Sequence, residues 1–180
     1  MAEKKRKRWN RAAKASQFAP GAGGEMVYTG RYYTFCGGEV DYRRSKRARY
    51  ALSALMGVAA LAGGMIPVPA MVNTWYVILP YMFTVLSVVS VIWAVCRMGY
   101  WGNPLREYVY DATVRQLPKR TILAMILSMC TLCGQICYMV LHGLQDGGLS
   151  CNLAFLALQV VVFVGSTLMR RAEIRWKWSV

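Results

Sequence analysis

Polar and apolar residues separate into blocks along this chain. Four apolar runs cover about residues 50–66, 74–96, 121–141 and 151–169, and none of them contains an Asp, Glu, Lys or Arg. Each run is long enough to cross the hydrocarbon core of a bilayer as a helix, which takes roughly 17–25 residues. The pattern predicts an all-α fold: an integral membrane protein with four transmembrane helices in an antiparallel bundle. The connectors at 67–73 and 142–150 are short, whereas 97–120 is long and charged.

Breakers frame these runs. Pro67 and Pro69 close the first. Pro80 lies inside the second and predicts a kink, because proline lacks the N–H that would bond the carbonyl four residues back. Asn103-Pro104 reads as an N-cap followed by a first helical residue. It would open an amphipathic helix over about 104–117, with Leu105, Tyr108, Val109 and Ala112 on one face and Pro118 at its end. In the first run Ser53, Gly57, Ala60 and Gly64 form a stripe of small residues. Such spacing lets helix backbones approach closely in lipid, so these four are candidates for interhelical packing.

Composition strengthens the membrane reading. Hydrophobic residues make up 56% of the 180 and charged residues 17%, against roughly 45–50% and 25% in soluble chains. The net charge of +14 alone would suggest a nucleic-acid partner. Placement of the charges excludes that reading. Every Lys and Arg falls within 1–49, 97–120 or 170–177, and the apolar runs separate these groups. Cations beside a span resist translocation, so both termini are expected in the cytoplasm, and a bacterial plasma membrane fits the plan. The expected segments are a basic flexible tail (1–24), a Tyr-rich and basic juxtamembrane segment (25–49), the four-helix domain (50–169) and a basic aromatic tail (170–180). Arg43, Arg44, Lys46, Arg47 and Arg49 are the candidates for contact with anionic headgroups of the cytoplasmic leaflet, at about 1 kcal/mol per cation near the surface. Trp176 and Trp178 are expected to anchor the last segment at the interface.

Residues 25–42 hold Tyr28, Tyr32, Tyr33, Phe35 and Tyr42 in a β-prone stretch closed by Cys36-Gly37-Gly38. The favoured expectation places these rings at headgroup level, where amphipathic aromatics are enriched. The alternative is a docking segment that pairs with a partner or with the 97–120 loop.

Little in the spans carries chemistry. An ionisable residue inside a membrane is the usual mark of an ion path or proton relay. Its absence argues against a proton-coupled exporter of the small four-helix drug-resistance kind. Gln135 and Gln159 are the most polar groups there, roughly 9–12 Å below the outer edge at 1.5 Å per residue. They are expected to hydrogen-bond across the third and fourth helices. Cys130, Cys133 and Cys137 share a helix face, and Cys151 follows the last outer loop. The overall plan is similar, in topology, to that of the quinone-linked thiol-oxidising membrane enzymes. That family keeps a redox Cys pair between the first two spans, and here the 67–73 connector has none. A thiol in apolar surroundings is a poor nucleophile and serves as a small packing hydrophobe. His142, the single histidine, has only Asp146 nearby in sequence and forms no catalytic constellation.

No catalytic, cofactor or metal residue is assigned, and no cofactor is expected. The functional expectation is a small multi-pass membrane protein, a non-enzymatic accessory or scaffold subunit acting at the cytoplasmic face. Its partners would be membrane lipids and a membrane-protein partner or further copies of itself, with no nucleic acid. A small transporter or channel component and a membrane thiol-disulfide oxidoreductase are the alternatives.

Overall fold

The computed structural model describes residues 17–20, 25–142 and 148–179. The chain runs β1 (Phe18–Pro20), β2 (Met26–Tyr28), β3 (Tyr32–Phe35), α1 (Glu39–Met65), α2 (Pro69–Asn73), α3 (Trp75–Trp101), β4 (Leu105–Arg106), α4 (Glu107–Ala112), α5 (Leu117–His142), α6 (Leu149–Arg175) and β5 (Trp178–Ser179). The protein is mostly helical, and α1, α3, α5 and α6 are long and apolar enough to span a membrane.

All four helices outrun the apolar stretches that predict them. At 26 or 27 residues and 1.5 Å per residue they reach about 40 Å. The surplus lies mainly at one end. Helix α1 starts eleven residues before Tyr50, with Glu39 and Asp41 in its first turn, where acids favour the helix dipole. It stops at Ile66, held extended at φ −81° and ψ 126° because Pro67 disfavours the helical region for its predecessor. Helix α3 passes through Pro80 unbroken and ends at Gly102, whose φ of +69° suits a residue without a Cβ.

Helix α1 packs beside α3 and α6, and α5 closes the arrangement by packing beside the same two. One core joins Met56, Ala59 and Ala60 of α1 to Val88, Val91 and Val95 of α3 and to Val162 and Met169 of α6. A second, nearer α2, gathers Val68, Ala70, Val77, Tyr81, Tyr138 and Phe155. The faces turned away from these cores are apolar too, including Leu55, Val58, Met82, Phe83, Leu86, Ile126 and Val160. A helix that is hydrophobic all round belongs in a larger core or in lipid.

Small residues set the approach of the helices. Ser53, Gly57 and Ala60 of the expected stripe are buried on α1, but the buried seam continues to Gly63, not Gly64. Gly64 is exposed, yet a Cβ there would lie 2.7 Å from the Tyr81 hydroxyl oxygen, which donates to the Ala60 carbonyl. On α5, a Cβ at Gly134 would lie 2.7 Å from the Tyr76 carbonyl oxygen. That carbonyl is the one Pro80 deprives of its helical donor, so the missing side chain at 134 lets α5 come up against it.

The 97–120 loop departs from expectation. Asn103 caps no helix, since Leu105–Arg106 is extended and α4 spans only Glu107–Ala112. Its side-chain oxygen instead accepts from the Phe35 backbone N–H at 3.2 Å. Pro118 begins a helix instead of ending one, as the second residue of α5, where a missing N–H costs nothing.

Candidate functional site

The end of the helices that carries the start of α1 and the ends of α3 and α6 is covered by a small folded cap. It is built from segments far apart in sequence. β3 is the centre of a three-stranded antiparallel sheet, with Tyr32 and Tyr33 opposite Arg106 and Leu105, and Thr34 and Phe35 opposite Ser179 and Trp178. Within residues 25–42, Tyr32 and Tyr33 thus pair with the 97–120 loop, as the alternative expectation has it. β1 and β2 form a separate hairpin, which places Phe18–Pro20 in a folded element inside the expected 1–24 tail.

Aromatic rings fill the space under these strands. Tyr33 stacks on Tyr110 with ring centres 4.1 Å apart and planes 4° from parallel. Phe35 meets Trp178 edge-on at 5.5 Å, and Trp178 meets Tyr110 at 6.0 Å. Tyr28 is buried among Phe18, Tyr32 and Tyr108. Its hydroxyl donates to the Arg31 carbonyl and accepts from the Glu107 N–H, both at 3.1 Å. Burial raises its pKa above the ordinary tyrosine value, so it stays protonated and keeps the donating role. Trp178 is thus packed, half-buried, against the cap core.

Arg49 of α1 and Glu173 of α6 join these two helices at the cap end. Both side chains are buried, at 0% and 2% exposed, and the Arg49 Nε donates to Glu173 Oε1 at 2.6 Å. A second guanidinium nitrogen reaches Oε2 at 3.4 Å and another reaches the Ser45 hydroxyl at 3.5 Å. Trp176 covers the cation, its ring centre 4.3 Å from the guanidinium carbon. Arg49 therefore drops out of the lipid-contact set: its charge is turned inward. The remaining cations divide. Arg43 pairs with Glu39 on the exposed face, Lys46 donates to the Gly99 carbonyl at 3.2 Å, and Arg44 and Arg47 are exposed on α1.

Beside the buried pair lies an open cavity of about 480 Å³ between α1 and the sheet. Phe35, Asp41, Arg44, Arg175, Trp176 and Lys177 line it. Three cations face one carboxylate there, with aromatic walls. That chemistry suits recognition of an acidic group, because exposed guanidinium groups bind carboxylate and phosphate through fixed donors. Cys36 sits on the rim as a free thiol. Among the described residues no cluster of His, Cys, Asp and Glu could hold a metal ion.

The other expected positions lie toward the far end. Gln135 does bond across to α6, but its partner is Asn152: the Gln135 Nε2 donates to Asn152 Oδ1 at 2.9 Å. Gln159 is fully buried and neither of its amide atoms finds a partner among the described protein groups; its nitrogen faces Gly63. Asn152 was readable in principle, since it precedes Gln159 by seven residues and so shares its helix face. Cys130, Cys133 and Cys137 are exposed on the outer side of α5 and do not pack between helices. His142 stacks on Tyr138 with ring centres 4.5 Å apart, while Asp146 and the Lys4–Arg8 run lie outside the described residues.

No protein-family model, curated protein or solved structure matches this chain. The site is therefore read from its own geometry.

Proposed function

We propose that this protein is a non-enzymatic scaffold subunit of the plasma membrane. Its four long helices would cross the bilayer as an antiparallel bundle, with both termini and the cap in the cytoplasm. The broad apolar outer surface supports insertion, because a patch of that size is not left to water. The segregation of Lys and Arg to the cap end supports the orientation.

One observation carries the functional reading. Three segments from distant parts of the chain build a folded cap, and the cavity beside it is lined by Arg44, Arg175 and Lys177. A cap that served only as a topology signal would need no sheet or stacked tyrosines. The cavity would dock an acidic segment of a membrane-protein partner, while Arg43 and Arg47 rest against anionic headgroups.

The test is extraction from native membranes in mild detergent, followed by mass measurement of the intact assembly for wild type and for Arg44→Glu/Lys177→Glu. The expected result is a stoichiometric partner on the wild type that the charge-reversed variant loses. A protein that emerges alone, or as a closed homo-oligomer in both forms, overturns the scaffold reading. The incompletely bonded amides of Gln135, Asn152 and Gln159 would then favour a small transporter, and solute flux in proteoliposomes would be the supporting measurement.

A further inference from the structure

A second cavity, of about 290 Å³, lies on the outer surface between α3 and α5, away from the cap. Phe83, Leu86, Leu123 and Leu127 line it, with Ser87, Ser90 and Arg120 toward the cap end. It is a groove almost wholly apolar in its walls and charged at one end. Phe83, Leu86 and Leu123 are half-exposed along it.

The charged end is more elaborate than one arginine. Trp93 lies one turn beyond Ser90 and is half-exposed. Two guanidinium groups rest against its ring, with Arg97 at 5.1 Å and Arg120 at 5.3 Å from the ring centre. Both distances are within the range of a cation–π contact. Arg120 is held firmly: it donates to the Ser90 carbonyl at 2.8 Å, to the Ala112 carbonyl at 3.4 Å and to the Gln116 side-chain oxygen at 3.3 Å. These acceptors are all neutral, and they leave donors free on a group that has five. Among the described residues no carboxylate is paired with Arg97 or Arg120. Two cations are thus brought to one indole without a counter-charge, at the mouth of an apolar groove.

We infer that this groove is a discrete binding site for one anionic phospholipid of the cap-side leaflet. An acyl chain lies along Phe83, Leu86, Leu123 and Leu127, and the headgroup phosphate is shared by Arg97 and Arg120 over Trp93. Charge complementarity selects the occupant: the apolar walls suit a hydrocarbon chain, and the unpaired guanidinium groups suit the phosphate that a phospholipid attaches to it. The order along α3 agrees, since Phe83 to Arg97 spans about 21 Å at 1.5 Å per residue, from acyl depth to the headgroup level. The site uses none of the cations of the cap cavity. It rests on the membrane-spanning part of the proposed function and not on the docking of a partner.

The experiment uses the full chain in mild detergent with equal amounts of dioleoyl phosphatidylglycerol and dioleoyl phosphatidylcholine, and native mass spectrometry to count what is retained. Wild type is expected to keep one phosphatidylglycerol in preference to phosphatidylcholine. Arg97→Gln breaks no hydrogen bond among the described residues. It should lower that preference about fivefold, the factor that about 1 kcal/mol for one basic residue corresponds to. Leu123→Trp, which fills the groove at a half-exposed position, should lower retention of both lipids. Arg171→Gln, which removes an exposed cation of α6, should leave retention as it is. Equal retention of the two lipids by wild type, unchanged preference in Arg97→Gln, or an equal loss in Arg171→Gln would overturn the site. Displacement of the lipid by millimolar inorganic phosphate would also overturn it, because a chain held in the groove resists a competitor for the headgroup alone. A protein that extracts with its partner yet shows no lipid preference loses this site and keeps its scaffold role.

Discussion

At the cap end, Arg49 and Glu173 are buried together and satisfy each other; toward the far end, Gln135, Asn152 and Gln159 are as deeply buried and leave four amide atoms without a partner among the described residues. The difference follows from what each group loses when it leaves water. A buried charge without a partner is so costly that it is tolerated only when paired and hydrogen-bonded. A neutral amide costs less, and one bond between Gln135 and Asn152 is enough to keep it in place. The cap end is therefore specified by a few groups that must all be present. The far end is held mainly by packing of small and aromatic residues, with polar contacts as a minor addition.

The largest effect should come from breaking the buried ion pair. Glu173→Ala leaves the Arg49 guanidinium buried with only Ser45 and the Trp176 ring against it, and such a half-pair is destabilising by about 3–5 kcal/mol. Thermal unfolding in mild detergent should show the loss. Replacing both partners, as Arg49→Leu/Glu173→Leu, should recover most of it, since removing a buried pair together is often neutral. If Glu173→Ala unfolds within experimental error of wild type, the pair is not what holds α1 to α6 at the cap end.

How far this contrast was legible in the sequence differs by end. The four long helices follow from apolar run length, which is set by bilayer thickness and needs no knowledge of packing. The cap was hardly legible. Its strands are two to four residues long and pair across large sequence separations, with Phe35 opposite Trp178, so no local periodicity announces them. Arg49 reads as one more cation in a basic block, because its partner Glu173 lies at the opposite end of the chain. The signal was present: Glu173 is the one acid in the basic segment after residue 169. Trp176 and Trp178 read as interface anchors for the same reason, since interfacial preference and cap packing draw on the same residue type.

A smaller effect tests whether the far end depends on packing. Gly134 sits where α5 meets the carbonyl that Pro80 leaves without a helical donor, and a Cβ there would lie 2.7 Å from that oxygen. The obstacle is backbone and cannot rotate away. Gly134→Ala should therefore cost about 1–3 kcal/mol, as overpacking does. Chemical unfolding of the purified protein measures it. A neutral Gly134→Ala would mean that α3 and α5 separate freely, and the far end would then need its amides more than the contrast allows.

The smallest effect bears on the amides directly. A double-mutant cycle on Gln135→Leu and Asn152→Leu should give a coupling of about 0.6 kcal/mol, the usual value for a hydrogen bond between membrane helices. Gln159→Leu should be neutral or slightly stabilising, because it removes two buried polar atoms that make no bond and replaces them with a shape the site can hold. A loss above about 2 kcal/mol at Gln159 would instead mark its amide as fully bonded in the folded protein, since that is what stranding a buried donor or acceptor costs. The two ends would then be alike in kind, both fixed by polar groups that must be satisfied. Gln159 would become the first residue to examine for a solute path, because a bonded amide at that depth would have found its partner in something other than the chain.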